Sequence, residues 1–307
     1  MKQNINGAVL YRRPMGIEKK KARMGLLFTL PWIIGLLVFY AYPLFSSMYY
    51  SLTTYSILSP GKFVGLKNYQ KLFNDALFWK SVSNTVYFAV ISVPVNIIVG
   101  IAIALLLNIK SKSVGIYRTI FFIPTLVPIV ATATVWKFLL DSQYGLINEL
   151  LQIVGLKSVP WLTSENYSKL SLVLIAAWGV GQAVIINLAG LQDISPSYYE
   201  AAEVDGATAF QKIRHITVPL LTPVIFYNLV MGTINALQTF TLPYAITNGD
   251  GSPVNSLLFY VMYLYSNAFG YMKMGYASAM AWILFVIILV LTLLIFRSSR
   301  HWVNYQD

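Results

Sequence analysis

Apolar positions in this chain gather into long unbroken runs separated by short polar stretches. Six runs, at about residues 24–46, 82–107, 119–140, 170–191, 218–240 and 276–296, are nearly free of charge. Each reaches the length of about 20 residues that a helix needs to cross roughly 30 Å of hydrocarbon. The pattern predicts an all-α integral membrane protein of six transmembrane helices. Lys137, near the end of the third run, can snorkel to the interface. The first run is too long for a secretory signal and lacks a small-residue cleavage site, so it reads as a retained span. Residues 257–265 are apolar but too short to span, which predicts an outer-surface or re-entrant helix. Prolines fall in or beside several runs (Pro31, Pro43, Pro94, Pro124, Pro128, Pro219, Pro223, Pro243). Each removes a backbone donor and is expected to bend its helix.

Composition agrees with that pattern. Hydrophobic residues make up 57% of the chain and charged residues 11%, against about 25% charged in an ordinary soluble domain. There are no cysteines, which excludes disulfides, thiol catalysis and thiolate metal sites. The net charge of +11 raises the question of nucleic acid. However, the basic residues bunch in the N-terminal tail and at the ends of apolar runs, where topology determinants lie, so no nucleic-acid partner is expected. With the N-terminus inside, the inner segments hold that tail, Lys110, Lys112, Arg118, Lys212, Arg214, Arg297 and Arg300. The outer segments hold Lys62, Lys67, Lys71, Lys80, Lys157, Lys169 and Lys273. The excess lies inside, which predicts that both termini are cytoplasmic. The chain then divides into a basic tail (1–23), a six-span domain (24–296) and a short C-terminal tail (297–307).

The stretch 197–220, SYYEAAEVDGATAFQKIRHITVPL, interrupts two apolar runs with charge, and the predicted topology places it in the cytoplasm. Its local grammar is helix, break, helix. Pro196 suits a first turn, Ser197 and Glu200 have capping-box spacing, and Gly206 can take the left-handed conformation that ends a helix. A capped surface loop and a functional hairpin fit this grammar equally.

The missing chemistry narrows function. No GxxxxGK[ST] loop occurs, so the chain should not bind ATP through a P-loop. The only histidines are His215 and His301, at predicted edges, and neither a metal site nor a catalytic triad is expected. Acidic or basic residues at mid-membrane, which proton- or sodium-coupled carriers need, are absent from the runs. Energy for uphill transport would therefore enter from outside the membrane region, and a neutral solute would also suit such a pathway. Neutral polar groups do occur. Asn235, Gln238 and Thr239 share a face with Phe240 beside them, and Trp178 and Gln182 share another. Amides beside aromatic rings suit a sugar, but they equally suit links between helices. A secondary carrier or channel for a neutral solute is the alternative from another class; an intramembrane enzyme lacks the catalytic groups.

Glu200-Ala201-Ala202, three residues, Gly206, nine residues, Ile216 and Pro219 resemble the EAA–x3–G–x9–I–x–L–P signature of ABC importer permeases, with Val218 in place of leucine. FVGLKNYQKLF (63–73), FWKSVSNT (78–85), YRTIFFIPTLVP (117–128) and GYASAMAW (275–282) are similar to the sugar-type permeases of the maltose, lactose and glycerol-3-phosphate class. The resemblance covers nearly the whole chain. It implies the type I ABC importer permease fold in a bacterial cell membrane. It also implies a coupling helix within residues 195–217, with Glu200, Ala201, Ala202, Asp205 and Gly206 docking on an ATPase subunit. Glu200 remains open to a capping role, a docking role or both. The resemblance further implies a second homologous permease, two copies of the ATPase that bind ATP and Mg, and an extracytoplasmic sugar-binding protein. The chain would hold no cofactor of its own. The substrate pathway it implies runs through the fourth and fifth spans, past Trp178, Gln182, Asn235, Gln238, Thr239 and Phe240. The expected cargo is an oligosaccharide, with a glycerophosphodiester as the alternative within the family. The chain looks like the first permease of such a pair, without the extra spans and large outer domain of some maltose-type members.

Overall fold

The computed structural model describes residues 15–109 and 114–304. The first fourteen residues of the basic tail, and with them Lys2, Arg12 and Arg13, lie outside the described residues, as do Lys110 and Lys112. Helices dominate, with two isolated β-bridges, Thr53–Phe63 and Ser56–Ser59, in the first loop. Three helices are long and apolar enough to cross a membrane, and the count reaches six where each of three bent helix pairs is one span. Together these helices cover the six apolar runs of the sequence.

The first span joins α1 (Met15–Leu36) to α2 (Tyr42–Ser51) through a π turn at Leu37–Ala41. Pro43 explains the widening: its ring crowds the carbonyl four residues back, and the Tyr42 N–H bonds Leu37 instead. Of this span, α2 packs on the last helix, α16 (Met274–Ser299). After the short α3 (Lys67–Phe73) comes α4 (Ala76–Leu107), the axis of the bundle. Asp75 caps α4 by accepting from the Leu77 and Phe78 N–H groups. The helix buries Ser81, Asn84, Thr85, Ser92, Gly100 and Ala104 while exposing Tyr87, Val90, Ile98 and Leu106. Small and polar residues thus face protein and large apolar ones face outward, because lipid is as apolar as leucine and gives no reason to hide it.

Three helical pairs follow. They are α5 (Val114–Leu126) with α6 (Ile129–Leu139), α8 (Glu165–Trp178) with α9 (Gly181–Gln192), and the fifth span. The short α7 (Leu146–Ile153) lies between the first two pairs. The α5–α6 pair bends by 100° between Pro124 and Pro128, as those prolines lead one to expect, and this divides the run at 119–140 into two short arms. Proline is not the only cause of bending. Pro94 lies inside the unbroken α4, whereas the proline-free fourth span bends by 49° at Gly179.

The polar hairpin holds α10 (Pro196–Val204) and α11 (Ala209–Lys212), then a π turn at Ile213–Thr217 and α12 (Val218–Leu220). The fifth span bends by 63° where α12 meets α13 (Thr222–Leu237), and it continues into α14 (Thr241–Thr247).

Much of residues 257–265 is buried against the rest of the protein. Leu257, Phe259 and Tyr260 are fully buried, and α15 (Tyr260–Tyr265) packs on α4 with Tyr265 exposed at its end. Asn84 Nδ2 donates to the Asn255 and Leu258 carbonyls at 2.7 and 3.0 Å, and the Tyr260 N–H donates to Thr85 Oγ1 at 2.8 Å. These polar groups on α4 take up the backbone groups that a non-helical segment leaves free.

Candidate functional site

Around α4, the bent helices leave a cavity of about 310 Å3 between α4, the α8–α9 break and α13. The α4 wall contributes Ser92 and Asn96, the break contributes Gly179 and Gln182, and α13 contributes Tyr227, Asn228 and Asn235, with Thr239 just beyond it. Gly181 holds the break in place. A Cβ there would sit 2.3 Å from the Phe121 carbonyl oxygen, so only glycine lets α9 lie against the backbone of α5. No acidic or basic residue lines the cavity.

The structure sorts the candidate amides into two groups. Asn228 Nδ2 donates to Asn187 Oδ1 at 3.0 Å, a buried link between α13 and α9. That pair does what polar residues commonly do between membrane helices. Gln182 and the Asn235 side chain have no hydrogen-bond partner among the described residues, and both line the cavity. Asn96 Oδ1, on the α4 wall, is likewise unpaired.

Of the six pathway candidates from the sequence, the cavity gathers Gln182, Asn235 and Thr239. Trp178 lies apart, edge-on to Trp136 with centroids 6.0 Å apart, where it joins α8 to α6. Phe240 packs with Tyr244 and Tyr265. Gln238 is the C-cap of α13 and does not line the cavity. Helical spacing placed it beside Asn235, yet Asn235 and Thr239, four residues apart, line the cavity and Gln238 does not. Ser92, Asn96, Tyr227 and Asn228 escaped the sequence reading. An asparagine in the middle of the apolar second run was the available signal for Asn96.

At the other end of α9 the hairpin is pre-folded. Ser195, rather than Ser197, is the N-cap, with Pro196 at the first helical position. The expected Ser197–Glu200 capping box is therefore corrected; the box in this hairpin is Thr208 with Gln211. Because Ser195 does the capping, Glu200 is left exposed, with no hydrogen bond or ion pair among the described residues. Gly206 has φ +75°, its N–H reaches the Glu203 carbonyl, and the Ala207 N–H reaches Ala202. Those two bonds are the Schellman ending that glycine permits. Lys212 Nζ pairs with Glu203 Oε1 at 2.7 Å, and this hydrogen bond and charge hold the Glu203 carboxyl below its ordinary range. Tyr199 Oη and Thr217 Oγ1, 3.0 Å apart, close the base. Ala201, Asp205 and Gly206 are exposed and Ala202 is half-buried; Val204 and Phe210 stand 89% and 69% exposed, an apolar rim on a polar hairpin.

An uncharged cavity among bent membrane helices, joined by one helix to a rigid exposed hairpin, defines a transport permease. The family model described as binding-protein-dependent transport system inner membrane component matches residues 96–303, and the chain belongs to that family. It is 40% identical over 305 residues to the probable ABC transporter permease protein YesP of Bacillus subtilis (strain 168), covering 98% of each chain. It is 34% identical over 286 residues to the trehalose/maltose transport system permease protein MalF of Thermococcus litoralis, covering 92% of this chain and 96% of that one. Among solved structures, a chain of a bacterial alginate ABC transporter, in complex with its alginate pentasaccharide-bound periplasmic protein, superposes with a TM-score of 0.82. Identity there is 24%, with 92% of this chain and 96% of that one covered, so this likeness speaks to the fold. Family membership replaces the secondary-carrier alternative.

Proposed function

We propose that this chain forms the translocation pathway of an ATP-driven importer of a neutral oligosaccharide. The observation that carries the reading is the pair of unpartnered amides, Gln182 and Asn235, in a cavity without fixed charge. A sugar offers hydroxyls that such amides can bond, and Tyr227 on the same wall offers a ring for an apolar sugar face. The trehalose/maltose relative supports the same cargo class. A glycerophosphodiester is disfavoured because no basic side chain faces the cavity.

In this reading both termini are cytoplasmic and the chain lies in a bacterial cell membrane. The hairpin at residues 195–217 docks on a partner ATPase through Glu200, Ala201, Ala202, Asp205 and Gly206. The exposed Val204 and Phe210 supply apolar contact, and the small alanines permit close approach. ATP and Mg are held by two ATPase copies, a second permease completes the pathway, and an extracytoplasmic binding protein delivers the sugar. Glu200, left free by Ser195, is available to the partner.

Uptake of labelled oligosaccharides by the assembled complex tests the reading. Q182A with N235A is expected to raise the half-saturating sugar concentration by roughly tenfold or more, since each lost hydrogen bond costs about 1 kcal/mol. Unchanged uptake kinetics in the double variant would sink the proposed site.

A further inference from the structure

Pro223 stands at the bend between α12 and α13, and it leaves a specific deficit. Pro223 has no N–H, so the carbonyl of Pro219, four residues earlier, lacks its helical donor. The Thr222 hydroxyl, 8% exposed, fills that gap by donating to the Pro219 carbonyl at 2.6 Å. The Asn304 backbone N–H then donates to Thr222 Oγ1 at 2.9 Å, and Asn304 Nδ2 approaches the same Pro219 carbonyl at 3.4 Å. One relay therefore runs from the C-terminal segment through Thr222 to the orphaned carbonyl.

The segment that carries Asn304 is itself anchored. Beyond α16 the chain turns back, with the Val303 N–H on the Ser299 carbonyl at 2.9 Å. The Trp302 ring lies 6.2 Å from Phe226 of α13, and Phe226 lies 5.0 Å from Phe296 of α16. The hook thus grips α13 one turn beyond the bend while Asn304 reaches the bend itself. The bend sits between the hairpin, on its N-terminal side, and the cavity residues Tyr227, Asn228 and Asn235, on its C-terminal side.

We propose that Thr222 and Asn304 are positioning residues for transport. The hook formed by Trp302–Asn304 fixes the α12–α13 bend, so that a displacement of the hairpin moves α13 instead of being absorbed at a loose proline hinge. This rests on the reading of the hairpin as the point where ATPase movement enters. A donor relay suits the task because hydrogen bonds are directional and hold an angle, as apolar contact alone does not.

The test measures sugar imported per ATP hydrolysed by the complete complex in vesicles. N304P removes both donors of Asn304, and T222V removes the relay hydroxyl. Each is expected to lower the ratio by roughly threefold or more, within the range that mutations between coupled sites produce, while ATP hydrolysis continues. T222S keeps the hydroxyl and should retain the wild-type ratio; N304A keeps the backbone donor and should fall between. An unchanged ratio in both N304P and T222V overturns the proposal. A parallel loss of import and hydrolysis also overturns it, because that is what a purely structural contact gives. Should N304P fail to accumulate, W302A combined with N304A reads the same ratio. G206P separates the two readings. If G206P imports normally, the hairpin role fails whatever the hook does; if G206P uncouples while the hook variants do not, the hook alone fails.

Discussion

The two ends of α4 are held by different forces. At its N-terminal end a large aromatic-rich core is crossed by directed polar bonds from distant parts of the chain. Asn84 and Thr85 hold residues 255–260, Tyr263 and Tyr276 both donate to Asp75 at 2.6 Å, and Ser168 meets Ser256 at 2.8 Å. At its C-terminal end a smaller cluster of aliphatic residues, Ala104, Leu107, Val180, Val184, Leu188, Leu191, Ile194 and Leu221, packs α4 against α9 and the start of the fifth span. Buried side-chain bonds are sparse there, with Asn187–Asn228 the link at its edge. Directed bonds fix an angle, whereas aliphatic contact is non-directional and tolerates sliding. The difference separates an end crossed by many directed bonds from an end held mainly by non-directional packing, and the hairpin is attached to the second.

The strongest way to break this contrast is at the hairpin. Proline at Gly206 would demand φ near −65° where the chain has +75°, and it would delete the N–H donated to Glu203. G206P is expected to abolish import while the protein remains in the membrane, as followed by uptake and by immunoblot of membrane fractions. E200K should do the same through the proposed partner surface, since the Glu200 side chain makes no hydrogen bond or ion pair among the described residues.

Next in size is the rigid end. N84A strips the buried Leu258 carbonyl and the part-buried Asn255 carbonyl of their donor, at about 1–3 kcal/mol for the buried group left unsatisfied. A lower melting temperature of the purified complex is expected. In contrast, N187L with N228L replaces both members of a pair by apolar groups of similar shape and should leave stability nearly unchanged; a large drop there would erase the contrast. Smaller still is the effect of Q238A on sugar uptake. It should match wild type, since Gln238 stands outside the cavity, whereas N235A should not.

The least effect is expected from acid. The Glu203 carboxyl is held below its ordinary value of 4.5 by Lys212, so its contribution is complete above that value and is lost as pH falls through the lowered one. Protection of the amides at residues 206–212, relative to their intrinsic exchange rates at each pH, should fall only in that acid range, and added salt should blunt the effect because the pair is exposed.

Much of this was legible in the residues. Hydropathy gave the six spans, since crossing hydrocarbon sets a length no polar segment can supply. Gly206 and Pro196 announced the hairpin's break and first turn through their own backbone limits. Other features were hidden because they depend on partners far along the chain. The fourth span bends without a proline, and its glycine is read as a break only when Gly181 is seen against the Phe121 carbonyl. Trp178 and Gln238 satisfied helical spacing yet fall outside the cavity, because spacing reports a shared face and cannot say where a helix ends or what lies opposite.

The sequence by itself determined that this is a helical membrane protein with a structured polar hairpin between its fourth and fifth spans. Hydropathy, proline and glycine act within a few residues of their own position, so they can be read in order. Only the tertiary structure decided which amides are spent on each other and which stay free, that Ser195 rather than Ser197 caps the hairpin, and that Thr222, itself bonded by Asn304, supplies the donor that Pro223 cannot. Those outcomes rest on satisfying buried donors and acceptors across the whole chain, and that pairing exists only once the helices are in place.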